Sequence, residues 1–177
     1  MEVIIKNRKY TRAATLDALK EEGWYVVDVT SKSGDESHRK FSPFYPHGNI
    51  RVGKYNSESV EGLWQGLKVF REHTIDESKF RIRNMKGLKR TVRKYGHPIG
   101  HHFEQDGVVK ILSYTDARKQ IFVPAYEQLL SRMETELAEI RKHPRILLLD
   151  YETNEDIEDI NTPLSHASLV KKALLQP

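Results

Sequence analysis

The sequence predicts an α+β protein, a single compact and mostly helical domain around a small sheet. The chain opens with a strand, a helix and a second strand, which together begin a mixed core. Two later stretches have helical periodicity, and the run RILLL near the C-terminus is typical of a buried strand. A chain of 177 residues is long enough for one domain with a substantial core, so residues 1–177 are predicted to form it.

The composition excludes several classes of protein. Hydrophobic residues make up 38% of the chain and aromatic residues are well supplied, which argues against disorder. There is no apolar run of about eighteen residues, so no membrane span is expected. The N-terminus is too short and too charged for a signal peptide. The absence of cysteine excludes disulfides, thiolate metal ligands and a cysteine nucleophile. A cytoplasmic protein is the simplest interpretation.

The N-terminal region is predicted to alternate strands with a helix. Residues 3–6 form a short edge strand, and the valine-rich alternation of residues 24–30 predicts a second strand. Residues 11–22 have a helical pattern between them. This helix should turn two leucines inward and end at a C′ glycine, namely Leu16, Leu19 and Gly23. Residues 31–40 are polar, which indicates an exposed loop.

An aromatic, proline-bearing segment follows at residues 41–47. Pro43 and Pro46 fix their own φ angles and push the preceding residues toward extended conformations. The segment is therefore stiff enough to hold Phe44 and Tyr45 in place, and such rings can stack on a flat heterocycle. The alternative, which stays open, is that these rings fill the core beneath the loop.

Residues 59–70, SVEGLWQGLKVF, are predicted to form the helix that carries the site. Apolar side chains share one face of it, namely Val60, Leu63, Trp64 and Leu67. Glu61, Gln65 and Lys68 recur at i, i+4 and i+7, which places a carboxylate, an amide and an ammonium along the neighbouring face. Proximity to the positive end of the helix favours an ionised Glu61. Such a carboxylate suits stabilising a cation or activating water. An ordinary amphipathic helix is the alternative.

Charge is distributed unevenly along the chain. Residues 79–94 contain eight Lys or Arg and no acid, whereas residues 150–159 contain six acids and no base. The basic segment would suit a ribose phosphate or a nucleic-acid backbone. Two alternatives stay open: the two segments pair with each other, or the basic residues belong to a solvated helix or short pieces with loops.

The histidines predict neither a metal site nor a serine triad. His97, His101 and His102 have no i, i+4 pair on a demonstrable helix and no acid between them, so a metal is not expected. Ser165 and His166 are adjacent, but no third partner is evident from the sequence.

The C-terminal half supplies scaffold and a group of polar candidates. Residues 113–142 carry a wide apolar stripe that Pro124 interrupts, which predicts a kink or a break into two helices. Residues 145–149 are predicted to be a buried strand and residues 165–175 an amphipathic helix. Polar groups just past such a strand commonly form a site in α/β folds. These candidates are Asp150, Asn154, Glu155 and Asp156, with a plain acidic loop as the alternative.

Two sequence blocks carry a resemblance to a known family. F-S-x-F is followed by a short strand and then by S-x-E-x-x-x-Q-x-x-K at a helix start. The matching residues are Phe41, Ser42, Phe44, Glu61, Gln65 and Lys68. In order and separation they resemble the NADAR / YbiA-like family, whose members carry FSNF and then a helix opening SEHYFQAQKF. The chain also resembles a bacterial and phage family of unknown function that shares SPFYPHG, NMKGLKRT and LLDYETNED.

The NADAR / YbiA-like resemblance implies a YbiA-like domain with N-glycoside hydrolase activity. The substrate would be an ADP-ribosylated or ribosylated nucleotide-like molecule, cleaved at a ribose C1′–N bond, with nucleic acid as one carrier of the modified base. No metal or redox cofactor and no membrane partner are implied. The sequence leaves the oligomeric state open.

The resemblance also implies roles for individual residues. Glu61 would stabilise the oxocarbenium ion or activate water. A late Asn-Asp pair belongs to the family's site, so a second carboxylate is expected from Asp150, Glu155 or Asp156. Substrate-binding residues would stack, hydrogen-bond or neutralise phosphate, and they are Phe44, Tyr45, Trp64, Gln65, Lys68, Lys89, Arg90 and Asn154.

Two other functions remain open at this level. One is a non-catalytic module that binds a nucleotide or ADP-ribose with the aromatic loop and the basic residues. The other is a nucleic-acid-binding protein that uses residues 79–94, for which binding should weaken steeply with salt.

Overall fold

The computed structural model describes residues 1–176 and has the predicted α+β class, with 36% helix and 23% strand. The strands are β1 (Glu2–Asn7), β2 (Tyr25–Asp28), β3 (Ile50–Val52), β4 (Tyr55–Ser57), β5 (Lys68–Phe70), β6 (Pro98–Gln105), β7 (Val108–Leu112) and β8 (Arg145–Asp150). The helices are α1 (Ala13–Glu21), α2 (Glu36–Arg39), α3 (Val60–Gly66), α4 (Val92–Tyr95), α5 (Tyr114–Ala117), α6 (Val123–Leu130), α7 (Glu134–Arg141) and α8 (His166–Leu175). A 3₁₀ turn at Glu77–Arg81 and a π-helical turn at Arg118–Phe122 complete the helical structure.

The chain divides into two units. The first unit comprises Met1–Ser42 and the described residues from Leu130 onward, and the second comprises Pro43–Leu129. The single domain over residues 1–177 stays a prediction, and its last residue, Pro177, lies outside the described residues.

The first unit contains a parallel three-stranded sheet of order β1-β8-β2. Val3 pairs with Ile146 and Val27 with Leu148, so β8 is flanked on both sides. Residues 146–150 are buried along their whole length, which explains the continuous apolar run. All three strands that the sequence predicts for this unit are confirmed.

Helix α1 covers part of this sheet and ends at the predicted glycine. Leu16 and Leu19 are half-buried and pack against a core that includes Trp24. Gly23 has a φ of +86°, the left-handed conformation of a C′ residue, and the N–H of Trp24 bonds to the Leu19 carbonyl at 2.9 Å. The helix and its termination are therefore confirmed.

The exposed loop predicted for residues 31–40 is wrong in part. Asp35 accepts hydrogen bonds from the backbone N–H groups of Ser37 and His38, and this cap starts the short helix α2. His38 and Ser33 are buried. A capping aspartate and a buried imidazole thus order a stretch whose polarity indicated a solvated loop.

The second unit contains an antiparallel sheet of order β5-β6-β7 and the hairpin β3-β4. Strands β6 and β7 meet at a two-residue turn of Asp106 and Gly107, whose φ angles are 52° and 76°. Sequence reasoning did not predict this hairpin. The Asp-Gly dipeptide is the signal that marks it, because both residues of such a turn need positive φ.

The helix predicted over residues 59–70 is wrong at its C-terminal end. Helix α3 ends at Gly66, and Lys68 begins strand β5. A Cβ atom at Gly66 would overlap the Phe80 ring and lie 2.9 Å from the Asp76 carbonyl oxygen. Close packing of the 3₁₀ turn and pairing with β6 therefore override the helical periodicity of the last four residues.

The long helical stretch of residues 113–142 is broken, as predicted, but not at Pro124. That residue is the second of α6 and follows the π turn at Arg118–Phe122, where the hydrogen-bond ladder has already changed. The break falls at residues 131–133, before α7. Residues 84–102 form loops, the single turn α4 and the start of β6 rather than one helix.

Candidate functional site

Glu61 is held firmly in the first turn of α3. The hydroxyl of Ser59 accepts the N–H of Gly62 at 3.0 Å and starts the helix. The Glu61 N–H donates to the Pro43 carbonyl at 2.8 Å, which ties the helix to the aromatic segment. Glu61 is only 7% exposed, and its Oε1 accepts a 2.7 Å bond from Gln65 Nε2. The result is a buried carboxylate in one orientation.

Gln65 positions that carboxylate through both ends of its amide. Its Nε2 donates to Glu61, and its Oε1 accepts the backbone N–H of Arg90 at 2.9 Å. The i, i+4 spacing on α3 brings Glu61 and Gln65 together, as predicted. Contact of Gln65 with a ribose or a base stays a prediction.

Arg90 braces the backbone around the site. Its guanidinium donates to the carbonyls of Lys68 and Thr74, each at 2.7 Å, and Arg90 is only 4% exposed. The rings of Phe70 and Tyr95 lie 4.6 and 5.0 Å from its Cζ. Its observed partners are structural, and its binding of substrate phosphate stays a prediction.

Lys68 reaches the site from β5 rather than from α3. Burial lowers the pKa of Lys68, the charges of Lys89 and Arg90 lower it further, and the charge of Glu61 raises it. An ammonium and a carboxylate are therefore within electrostatic range of each other. The sequence predicted this grouping by a helical spacing that does not extend to Lys68.

His101 is a site residue that sequence reasoning considered only as a metal ligand. It pairs directly with Lys68 across β5 and β6 and is 1% exposed. Its ring lies 3.9 Å from that of Trp64, centroid to centroid. Burial, and then the charge of Lys68, lower the pKa of His101 to about 3, so the ring is neutral near pH 7. No local pattern reveals this pairing, because it joins strands that are distant in sequence.

The aromatic candidates belong to two groups in the second unit. Trp64 is half-buried and its ring also lies 5.8 Å from that of Tyr114 and 5.6 Å from that of Phe122. Phe44 and Tyr45 are half-buried in the proline-bearing segment. The exposed Lys89 holds its Nζ 5.7 Å from the centre of the Phe44 ring. Phe41, by contrast, is buried and belongs to the first unit.

Asp150 forms a buried network in the first unit. Its Oδ2 accepts a 2.7 Å bond from the Ser165 hydroxyl and lies 3.0 Å from His166 Nδ1, and it also accepts the N–H of Ala167. The other ring nitrogen of His166 contacts the Val29 carbonyl at 2.9 Å. Asp150 is thus a third partner for Ser165 and His166 that the sequence did not show. The Ser165 hydroxyl, however, donates to the carboxylate of Asp150 rather than to the imidazole.

The three later polar candidates lie in the same unit, in the loop after β8. Asn154 donates to the carbonyls of Asp159 and Thr162, and its side chain accepts the N–H of Asp156. Glu155 pairs with Lys171 at 2.9 Å. These contacts organise the loop, and a second carboxylate at the Glu61 site stays a prediction of the resemblance.

Two further properties bear on the class of protein. Within residues 1–176, no three His, Asp or Glu side chains are grouped as metal ligands would be. None of the described helices is both long and apolar enough to cross a membrane.

Together the fold and the site define an α+β protein with a buried carboxylate, an amide, an ammonium and a neutral imidazole in its second unit. The chain belongs to a family of unknown function, DUF6939, whose model matches residues 8–170. No curated protein matches the chain. The resemblance to the NADAR / YbiA-like family stays a prediction.

Proposed function

We propose that the protein is an N-glycoside hydrolase that cleaves the C1′–N bond of a ribosylated, nucleotide-like substrate. The observation that supports this most is the fixed Glu61 carboxylate, which Gln65 holds at 2.7 Å in a buried position. The proposal combines that geometry with the resemblance of the surrounding motif to a family of N-glycosidases.

The proposed chemistry needs a carboxylate that cannot turn away from the sugar. As the C1′–N bond lengthens, positive charge develops on C1′ and the ring oxygen, and Glu61 stabilises it. Water adds its oxygen to C1′ and gives up one proton, while the bonding electrons leave with the nitrogen. The products are a free ribose hydroxyl at C1′ and a protonated base nitrogen, so atoms and charge balance.

The neighbouring groups suit the rest of such a substrate. Lys68 and Lys89 are cations that would neutralise phosphate, and Lys89 is exposed beside the Phe44 ring. The half-buried rings of Phe44 and Trp64 offer surfaces on which a base would stack. Gln65 orients Glu61 and Arg90 braces the backbone, and their direct contacts with the substrate stay predictions.

The test is release of free base by wild type and by Glu61→Gln. The substrates are ADP-ribosylated guanine nucleotide, ADP-ribosylated DNA and ribosylaminopyrimidine phosphates. We expect Glu61→Gln to lose at least about a hundredfold in rate while folding normally, because it removes only the charge. Glu58→Gln is the matched control, since Glu58 precedes the helix and pairs with Arg83 at 3.0 Å. Its rate should equal that of wild type.

Two outcomes would contradict the proposal. Wild type that binds these compounds without releasing base would be a nucleotide-binding module. Equal rates in wild type and Glu61→Gln would remove Glu61 from the chemistry, whatever the substrate.

A further inference from the structure

His101 is a buried polar side chain of the second unit that the proposed chemistry does not use. Neither of its ring nitrogens has a hydrogen-bond partner among residues 1–176. The backbone of Trp64 raises the pKa of the ring without reaching hydrogen-bond geometry. An unsatisfied buried imidazole is destabilising and uncommon, and a binding role is one explanation of such a group.

The position of His101 links it to the Glu61 site. His101 and Lys68 are direct partners in β6 and β5, so their side chains leave the sheet on the same face. Trp64, which lies on α3 between Glu61 and Gln65 in sequence, rests against the imidazole at 3.9 Å. The indole is itself only partly buried.

The surroundings of Trp64 add a second, independent observation. Its ring contacts Tyr114 of α5 and Phe122 of the π turn at 118–122. A π turn leaves a local irregularity in the helix and is found frequently at functional sites. The π turn, which is the least regular helical segment of this unit, therefore packs against one side of the Trp64 ring.

We propose that His101 hydrogen-bonds a ribose hydroxyl of the substrate, and that the Trp64 indole shifts from the imidazole to admit that sugar. This inference rests on the proposed function, because it assigns a substrate contact within the same site. The chemical group that His101 and Trp64 are proposed to recognise is the diol of a sugar.

The chemistry of a neutral imidazole favours a hydroxyl over a phosphate. A neutral ring offers one donor and one acceptor, and a hydroxyl offers the same pair in return. A phosphate oxygen only accepts and carries negative charge, so the ammonium groups of Lys68 and Lys89 suit it better. Burial, and then the charge of Lys68, lower the pKa of His101, so the ring stays neutral and keeps its acceptor nitrogen.

The experiment uses Trp64 as a reporter in the full chain. The protein contains two tryptophans, so Trp24→Phe leaves Trp64 as the sole indole. ADP-ribose is titrated against this parent, with inorganic phosphate as the comparison probe. We expect ADP-ribose to change the Trp64 fluorescence saturably, and phosphate at the same concentrations to leave it unchanged.

The variant that tests the contact is His101→Phe in the same background. It should weaken ADP-ribose binding by about tenfold or more, the effect of losing one hydrogen bond to a buried group. Its thermal midpoint should equal or exceed that of the parent, because the unsatisfied nitrogens are gone. His101→Gln, which keeps a donor and an acceptor, should bind more tightly than His101→Phe. The exposed His97→Phe is the control and should bind as the parent does.

Three results would overturn the inference: no saturable response to ADP-ribose, equal binding by the parent and His101→Phe, or an equal response to phosphate. If His101→Phe unfolds, the comparison of His101→Leu with the parent decides, because leucine also removes both ring nitrogens, and unchanged binding there overturns the inference. The proposed function can fail separately: the protein would then bind ADP-ribose but release no base from the ribosylated substrates. If this inference alone fails, wild type still hydrolyses those substrates through Glu61, and the His101 variants bind ADP-ribose as tightly as the parent.

Discussion

The carboxylate of Asp150, at the end of β8, shows how strongly single polar residues are held in this protein. Both ring nitrogens of His166 face acceptors, Asp150 Oδ2 at 3.0 Å and the Val29 carbonyl at 2.9 Å. Since a carboxylate and a carbonyl only accept, the imidazole must donate from both nitrogens and is therefore an imidazolium. Burial raises the pKa of Asp150, but the charge of His166 and the bonds from His166, Ser165 and Ala167 lower it to about 2.

The residue-scale prediction is that Asp150→Asn destabilises the protein by about 3 kcal/mol at pH 7, because it leaves the imidazolium buried without its counter-charge. The folded pKa of about 2 lies below the ordinary value of 3.8, so the ionised group stabilises the fold above pH 4. That contribution, roughly 2 kcal/mol, is lost in wild type as the pH falls from 4 to 2.

Urea unfolding of wild type and Asp150→Asn at pH 7, 4, 3 and 2 measures both effects. The difference between the two proteins should shrink as the pH falls. Asp156→Asn is the control, because Asp156 is exposed, and it should follow wild type throughout. A difference that stays constant from pH 4 to pH 2 would contradict the assigned ion pair.

At the scale of elements, the placement of Glu61 depends on the close approach of α3 to the 3₁₀ turn at Glu77–Arg81. A Cβ atom on Gly62 would lie 2.8 Å from the carbonyl oxygen of Lys79 in this turn, and one on Gly66 would lie 2.9 Å from that of Asp76, the residue before the turn. The two glycines occur one helical turn apart, which opens a side-chain-free strip along α3. Helix propensity alone would favour alanine at both positions.

The element-scale prediction is that Gly66→Ala destabilises the protein by about 1–3 kcal/mol, because the methyl group overlaps Phe80 and forces the turn outward. Gly34→Ala is the matched control: Gly34 has open space around its Cα and no positive φ. Its free energy of unfolding should stay within about 0.5 kcal/mol of wild type. Equal stability of the two variants, measured by chemical denaturation, would show that the α3 packing tolerates a side chain.

For the whole molecule, the division of the chain into two units supplies an internal test. The first unit holds Trp24 and the second holds Trp64. Each tryptophan therefore reports on one unit when the other is replaced by phenylalanine.

The whole-molecule prediction follows from the single domain that the sequence indicates. Trp24→Phe and Trp64→Phe should each give one fluorescence transition in urea, and each should coincide with the loss of far-ultraviolet circular dichroism of the same variant. The two transitions are compared within the same variant, so a difference in stability between the two variants does not affect the result. A fluorescence transition that precedes the loss of circular dichroism would show that the units unfold separately.

Much of the first unit follows from local patterns. The apolar run of β8, the valine alternation of β2 and the helix that ends at Gly23 are encoded by neighbouring residues, and the structure confirms each. The i, i+4 contact of Glu61 with Gln65 is equally local. Periodicity and turn chemistry act within one or two helical turns, so a sequence read by itself determines such features.

Only the tertiary structure decided the rest of the candidate site. Lys68 belongs to β5 because pairing with His101 of β6, a partner 33 positions further along the chain, outweighs the helical pattern of α3. The same holds for Asp150, whose carboxylate contacts Ser165 and the start of α8, and for His166, whose other ring nitrogen contacts the Val29 carbonyl after β2. Such contacts depend on burial and strand pairing between distant segments, and no spacing within either segment records them.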